Sequence, residues 1–210
     1  MNKLKPIWYT LIFLTMNYVT ACKVKNEKLT VTNLRCEYLD NPMGIDVINP
    51  RLGWQINLSK EGELTGIKQT AYQMLVASSS DLLRNNIGDL CDSKKVLTDK
   101  STHIAYGDSI SGLGSGKPLT SEMRCYWKVR VWTKSDKGNE IVSTWSEPAM
   151  WSMGLLNPEQ WKAKWIGLDG SAEIIDSNSE HRRLAARMLR RDFNLDKKII
   201  RATAYVCGLG

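Results

Sequence analysis

The alternation of apolar and polar residues is clearest in two stretches of the chain, 51–58 and 124–132. In the first stretch every second residue is apolar, namely Leu52, Trp54, Ile56 and Leu58. In the second, an inner row of Cys125, Trp127, Val129 and Val131 alternates with an outer row of Tyr126, Lys128, Arg130 and Trp132. Because successive side chains of a strand point to opposite faces, both stretches predict half-buried β-strands with one face in a core.

A closing hairpin is predicted next, because a polar turn at 134–139 is followed by Ile141 and Val142. Pro148 is expected to end it, since proline cannot donate to a strand ladder. Further short strands are predicted at 29–38, 70–78, 94–97 and 102–106, with one helical turn from Ser80 to Arg84 that Gly88 ends. About seven short strands with frequent turns are typical of an all-β, immunoglobulin- or fibronectin-III-like antiparallel sandwich. We assign this sandwich to residues 29–157.

The N-terminal segment has the features of an export signal. Two lysines precede a mainly apolar stretch, 7–19, that is short for a membrane span. The small residues before Cys22 resemble a bacterial lipobox, which predicts a signal peptide at 1–21, lipidation of Cys22 and a polar tether at 22–28. The alternative is ordinary cleavage after Ala21. The chain is therefore expected in the periplasm or on the cell surface, held by a lipid anchor, or else secreted without one.

The last segment, 158–210, holds too few predicted elements to bury a core of its own. Strands are predicted at 187–193 and 199–207. We interpret this segment as the beginning of a second β-sandwich domain whose remainder lies outside the chain. The cluster of arginines between residues 182 and 191 is interpreted as a solvated linker that leads into a strand.

The net charge of +7 does not indicate a nucleic-acid partner. Residues 1–28 hold five lysines and one glutamate, so +4 of that charge lies in the export segment. A nucleic-acid-binding domain concentrates basic charge on one folded face. For the folded part we predict no nucleic-acid binding and no cofactor.

No arrangement typical of catalysis or of a metal site is found in the sequence. The two histidines, His103 and His181, lie in unrelated contexts, and the glycine-rich stretch 110–118 lacks the helix that a phosphate site needs. The pairs of acids lie in turns and at strand ends, where we interpret them as turn formers: Asp40 with Asp46, Asp89 with Asp92, and Glu140 with Glu147. Cys36, Cys91, Cys125 and Cys207 match no metal-binding spacing and are interpreted as small buried hydrophobes. We predict no catalytic, cofactor-binding or metal-binding residue.

The outer row of the second stretch is the best candidate for a binding surface. Exposed aromatic and arginine side chains stack on sugars or anchor a partner domain. Tyr126, Arg130 and Trp132, with Lys128 between them, are therefore predicted to contact carbohydrate or a neighbouring domain. The alternative is that a neighbouring strand or domain half-covers these aromatic rings.

An ordered series of motifs resembles a known family. The motifs are Arg51-Leu52-Gly53-Trp54, Tyr72 to Ser78, Cys125 to Trp132, Trp145-Ser146-Glu147-Pro148, Trp161 to Ile166 and Leu189 to Gly210. In this order they resemble the N-terminal region of bacterial α-L-rhamnosidases of the inverting kind. The resemblance implies a fibronectin-III-like module ahead of further β-sandwich domains and an α/α barrel that carries the catalytic acids. Two positions depart from the family pattern, since Cys125 and Cys91 stand where aromatic residues are usual.

The resemblance implies a parent enzyme that removes terminal L-rhamnose from glycans or glycosides. It also implies that the catalytic barrel is absent from this chain, so no catalytic residue is carried over. The implied partners are the missing C-terminal domains and a rhamnose-containing glycan, with membrane contact through the lipid anchor alone. The alternative hypothesis is a free-standing surface lipoprotein module that binds glycan or protein.

Overall fold

The computed structural model describes residues 29–58, 66–107, 116–136, 138, 140–167 and 188–208. These residues belong to two compact units, one ending at Trp161 and the other beginning at Lys162. The strands of the first unit are β1 (Leu29–Cys36), β2 (Arg51–Leu58), β3 (Lys68–Ala77), β4 (Cys91–Asp92), β5 (Val96–Leu97), β6 (Ile104–Ala105), β7 (Arg124–Lys134), β8 (Glu140–Val142) and β9 (Ala149–Ser152). The unit also contains one short helix, α1 (Ser80–Arg84), and a 3-10 turn at Pro158–Gln160.

The strands form two antiparallel sheets. The small sheet has the order β1-β2-β6. In the large sheet β3 and β7 pair along almost their whole length. The other edge of β3 pairs with the short strands β4 and β5. The other edge of β7 pairs with β8 and β9. Two antiparallel sheets with these short edges confirm the predicted immunoglobulin-like sandwich.

One apolar core receives the inward rows of both sheets. Leu52 and Trp54 of β2 lie in the same cluster of buried side chains as Trp127, Val129 and Val131 of β7. Its aromatic rings meet edge to face, as Trp54 does with Tyr72 at 5.0 Å and Tyr106 with Trp151 at 5.9 Å. Trp54 also donates from Nε1 to Gln69 Oε1 over 3.0 Å, which satisfies its one buried donor.

The predicted hairpin of β7 and β8 is present, but it does not close the sandwich, because β9 follows Pro148 and also pairs with β7. The segment between β8 and β9 uses two serines to continue the edge of β7. Ser143 accepts from Val131 N at 2.9 Å through its hydroxyl, and Ser146 accepts from Val129 N at 3.1 Å in the same way. Their own backbone N–H groups donate back to the carbonyls of Val131 and Val129. The serine hydroxyls thus satisfy the backbone donors of β7 that a continuous strand would otherwise have paired.

The helix α1 has the predicted bounds, with Ser79 as its N-cap. The Ser79 hydroxyl accepts from Leu82 N over 3.3 Å, which satisfies one of the free donors of the first turn. The helix stops at Arg84 with Asn85 as its C-cap, so Gly88, which was predicted to end it, lies beyond its end. Asn86 then adopts a left-handed conformation at φ 59°, which reverses the chain before Gly88 is reached.

The second unit contains no strand among its described residues, 162–167 and 188–208. The strands predicted at 187–193 and 199–207 are therefore not observed there. A strand needs a neighbour that accepts and donates its backbone hydrogen bonds, and a favourable sequence does not supply that neighbour. The assignment of 158–210 to the beginning of a second β domain stays a prediction.

Candidate binding surface

The outer row of β7 lies on the face of the large sheet that is turned away from the core. The inner row is completely buried, with exposed fractions of 0% at Cys125, Trp127, Val129 and Val131. In the outer row Tyr126, Arg130 and Trp132 are partly buried, and Lys128 is only 7% exposed. The alternation thus sets the direction of each side chain, but neighbouring side chains cover much of the outer row.

Cations and indoles are interleaved on this face, in a group that we call the cation–indole cluster: Lys95, Lys128, Arg130, Trp132 and Trp145. The guanidinium carbon of Arg130 lies 5.0 Å from the ring centre of Trp132 and 4.8 Å from that of Trp145. Lys95 Nζ lies 4.6 Å from the Trp132 ring, and Lys128 Nζ lies 5.1 Å from the Trp145 ring. Each indole therefore has two cations of the chain near it, within the range of cation–π attraction.

Hydrogen bonds fix the positions of these cations. Gln73 pairs with Arg130 across β3 and β7, and its Oε1 accepts from Arg130 Nε at 3.0 Å and from Nη2 at 2.7 Å. The amide nitrogen of Gln73 donates to Asp92 Oδ1 over 2.9 Å, so both ends of the amide are in use. Lys128 Nζ donates to Asn86 Oδ1 over 2.6 Å. The cluster is thus held in place by partners on β3, on β4 and in the turn after α1.

Electrostatics favour a neutral or acidic partner on this face. Burial lowers the pKa of Lys128 below its ordinary value, because removal from water disfavours the charged ammonium. The cluster contains three cations, and Glu140 offsets one of them through a 3.2 Å ion pair with Lys95. The remaining positive charge lies between aromatic rings. Such a surface suits non-covalent contact and contains no acid–base pair across a cleft.

Trp145, Lys95 and Gln73 belong to this surface but were not predicted from the sequence. Trp145 follows β8, where the period of two has ended. The two serines that bind the edge of β7, Ser143 and Ser146, hold its backbone there, and Trp145 lies over Arg130 and Lys128. The available signal was the spacing of polar serines around a large aromatic residue directly after a strand.

Tyr126 lies at the other end of the outer row, beside α1. There Leu75, Ala77 and Leu83 form a small buried cluster, against which Tyr126 and Trp145 pack. A shallow recess next to Tyr126 is also lined by Asn41, Ser80, Pro148, Ala149 and Met150. Tyr126 and Arg130 are therefore on one face but in different surroundings, one apolar and one charged.

The other residues considered in the sequence analysis have mainly structural surroundings. Cys36, Cys91 and Cys125 are buried and free, and burial raises the pKa of Cys36 and of Cys125 to about 12. Asp89 accepts from Ser78, and Asp92 accepts from Lys94 and Gln73. Cys22, His181 and most of the 110–118 stretch lie outside the described residues. Cys207 is exposed, so its interpretation as a buried hydrophobe was wrong for this residue.

In the part of the chain that the structure describes, no three His, Cys, Asp or Glu side chains lie together in a way that could hold a metal ion. Across the same residues, no helix has the length and apolar character needed to cross a membrane.

Comparison with known proteins places these observations in a family. The family model described as the Rha78A-like, N-terminal immunoglobulin domain matches residues 31–157. An α-L-rhamnosidase of Formosa agariphila is 34% identical over 207 residues, which cover 98% of this chain and 20% of that protein. The crystal structure of Streptomyces avermitilis α-L-rhamnosidase complexed with L-rhamnose is 38% identical to this chain and superposes with a TM-score of 0.54. The match covers 66% of this chain and 12% of that one. The structure of α-L-rhamnosidase from Dictyoglumus thermophilum gives 38% identity and a TM-score of 0.53, over 66% and 14% of the two chains. The chain thus spans about a fifth of the length of the curated relatives that it matches.

Proposed function

The chain belongs to the family of Rha78A-like N-terminal immunoglobulin domains, and we propose that it is the non-catalytic N-terminal part of an α-L-rhamnosidase-like glycoside hydrolase. In this proposal the complete enzyme removes terminal L-rhamnose from glycans or glycosides. The sandwich supplies support and contacts, and the catalytic acids lie in a domain outside this chain. The observation that carries the proposal is the match of almost the whole chain to about a fifth of several α-L-rhamnosidases.

The cation–indole cluster is the part of the sandwich that we assign to contact with a neighbouring domain of the enzyme. Stacking on a sugar needs a free ring face. Here Trp132 and Trp145 each have two cations of the same chain within 5.1 Å of their ring centres. This arrangement favours a preformed, rigid surface for a folded partner over a platform for sugar stacking. An acidic patch on the partner would match the net positive charge of the cluster.

A chimeric enzyme tests this proposal. The chain, from Leu29 onward, would replace the matching fifth of the Formosa agariphila relative. We expect the chimera to fold and to release rhamnose from an aryl α-L-rhamnoside, because the replaced part supplies no catalytic group. Charge reversal in the cluster, Arg130→Glu, should lower the thermal midpoint of the chimera more than that of the isolated chain, since it damages an interdomain contact as well as the sandwich.

The matched control is Arg84→Glu, an exposed arginine on α1 whose only described ion pair is with Asp81. It should change neither midpoint appreciably. A folded chimera without activity would count against the proposed parent enzyme. Equal effects of Arg130→Glu on the chimera and on the isolated chain would count against the domain contact.

Export and lipidation form a second part of the proposal, supported by the sequence around Cys22. We infer that Cys22 becomes the lipid-bearing first residue and that the chain is tethered by residues 22–28. Labelling of expressing cells with a palmitate analogue should mark the wild-type chain and leave Cys22→Ser unmarked. Labelling of both proteins, or of neither, would contradict the anchor. A free-standing surface module that binds glycan or protein is the alternative, and an inactive chimera with labelled Cys22 would favour it.

A further inference from the structure

We propose that the outer face of the small sheet carries a binding site for a single sugar residue that bears a carboxylate group, such as a hexuronate. The site is a recess of about 140 Å³, lined by charged, aromatic and amide side chains around Gly53. It is smaller than the pockets of about 300–1,000 Å³ that hold drug-sized ligands, so it suits one unit of a glycan. The inference stands independently of the proposed rhamnosidase function.

The recess exists because Gly53 has no side chain. Gly53 occupies an outward position of β2, between Arg51 and Gln55, and pairs with Arg35 of β1. A Cβ atom added at Gly53 would lie 3.4 Å from the carbonyl oxygen of Ser101 and 3.6 Å from Thr102 Cα, at the side of the recess that Thr102 lines. Its backbone is not in the left-handed region, so conformational freedom does not explain the glycine here. The backbone of Ser101 and Thr102 passes close to this position, which favours a small residue, and the recess lies beside it.

A β-bulge turns Arg35 towards this recess. The register of β1 shifts between Thr32 and Arg35, where Asn33 adopts φ 51°. Leu29 and Val31 are buried before the shift, and Leu34 and Cys36 are buried after it. Without the extra residue, the alternation of the first half of β1 would direct Arg35 into the core. Bulges re-aim side chains in this way next to binding sites.

A strained turn positions the aromatic ring. Glu37 and Tyr38 form a tight turn after β1, in which Cys36 and Leu39 exchange backbone hydrogen bonds. Their φ angles are 48° and 64°, a conformation that asparagine and glycine adopt at lower cost. His103, which also lines the recess, has φ 57°. Tyr38 Oη lies 2.6 Å from His103 Nε2, and Arg51 lies 5.0 Å from the Tyr38 ring centre. Left-handed residues other than glycine are expensive, and their grouping around one recess points to a function.

The charges select the ligand. Glu37 accepts from Arg51 through both carboxylate oxygens, with a 2.6 Å contact to Nη2, so the charge of Arg51 is already matched. Arg35 donates from Nε to Asn33 over 2.8 Å and has no carboxylate partner among the described residues. Its two terminal nitrogens can therefore donate to an anion. A carboxylate suits them best, because its two oxygens lie in one plane and match the two N–H groups of the guanidinium. The Tyr38 ring, 59% exposed, offers a face to a sugar ring, and Gln55 and Thr102 offer hydrogen bonds to hydroxyls.

The test is a titration of the ¹⁵N-labelled 210-residue chain with three probes followed by NMR. D-Glucuronate carries both recognised features, D-glucose lacks the carboxylate, and acetate lacks the sugar ring. We expect shifts at the amides of Gly53, Tyr38 and His103 with glucuronate, and binding at least about tenfold weaker with glucose and with acetate. Equal binding of acetate or of glucose would overturn the proposal, as would the absence of shifts with glucuronate.

Three variants locate the binding. Arg35→Gln should weaken glucuronate binding by about tenfold or more, because it removes the charge but keeps a polar side chain. Gly53→Val should abolish binding while the spectrum stays that of a folded sandwich. Tyr38→Gly should also abolish binding without lowering the thermal midpoint, since glycine relieves the left-handed turn. The control Arg84→Gln should bind like the wild type. Undiminished binding by Arg35→Gln or by folded Gly53→Val would overturn the site.

Discussion

On the outer face of the large sheet, Arg130 has two indoles and the Gln73 amide as partners. On the outer face of the small sheet, Arg35 has only Asn33 among the described residues. Both arginines lie at outward positions of long strands. Apolar residues flank each of them in the sequence, so the hydrophobic pattern places both on an outer face. The structure gives them different surroundings, since one contributes to a closed cluster and the other borders an open recess.

The difference teaches that an outward position does not by itself predict an available side chain. Trp145 reaches the large sheet from a segment beyond β8, and α1 packs beside it on Leu75 and Ala77. On the small sheet the nearest atoms to the outward side of Gly53 belong to Ser101 and Thr102, and a recess of about 140 Å³ stays open beside them. The arginine with partners is expected to contribute to stability, and the arginine without them is expected to contribute to binding.

The largest predicted difference concerns single alanine variants of these arginines. Arg130→Ala should lower the free energy of unfolding by about 1–2 kcal/mol, because it removes two charge-assisted hydrogen bonds and two cation–π contacts. Arg35→Ala should lower it by less than about 0.5 kcal/mol, because the side chain of Arg35 makes one described hydrogen bond, to Asn33, and no described cation–π contact. Urea unfolding followed by tryptophan fluorescence measures both. Equal losses of unfolding free energy in the two variants would contradict the proposed difference between the two outer faces.

A smaller effect is predicted for the coupling between cation and ring. Arg130 with Trp145 and Arg51 with Tyr38 have nearly the same separation, 4.8 and 5.0 Å. Double-mutant cycles to alanine should give a coupling of about 0.5–1 kcal/mol for the first pair, which is partly buried, and less than about 0.5 kcal/mol for the second, which water screens. If the Arg51–Tyr38 pair gave the larger coupling energy, burial would not determine the strength of these cation–π contacts.

The smallest predicted effect is a pH dependence on the small sheet. The hydrogen bond from the Arg51 side chain lowers the pKa of Glu37 below its ordinary value of 4.5. Because the folded-state pKa is the lower one, the contribution of this pair is complete above about pH 4.5 and is lost as the pH falls through the folded pKa. Glu37→Gln should therefore flatten part of the decline in unfolding free energy below pH 4.5. A decline as steep as that of the wild type would contradict this role for Glu37.

Much of the sandwich could be predicted because its long strands have a strict period of two. The bounds of β2 and the two rows of β7 follow directly from that period. The strand β4 was missed because its two residues show no period. The strand β9 was missed because Pro148, directly before it, was expected to end the hairpin. The bulge at Asn33 was missed because only the pairing with β2 makes the shift of register visible.

The candidate sites were predictable to different extents. Tyr126, Arg130 and Trp132 were placed on one outer face by their alternation, whereas their partners Trp145 and Lys95 come from other parts of the chain. The recess around Gly53 could not be predicted. It depends on a left-handed turn at Glu37 and Tyr38, and neither residue type signals such a turn.

Under the proposed function, this sandwich acts through non-covalent contacts and the catalytic acids lie in a domain outside the chain. The most direct test incubates the purified chain with 4-nitrophenyl α-L-rhamnopyranoside, with a complete α-L-rhamnosidase such as that of Streptomyces avermitilis as the positive control. We predict that the chain releases no more nitrophenol than the buffer blank while the control turns the substrate over. Release above the blank that rises in proportion to the chain and disappears on heating would contradict the claim.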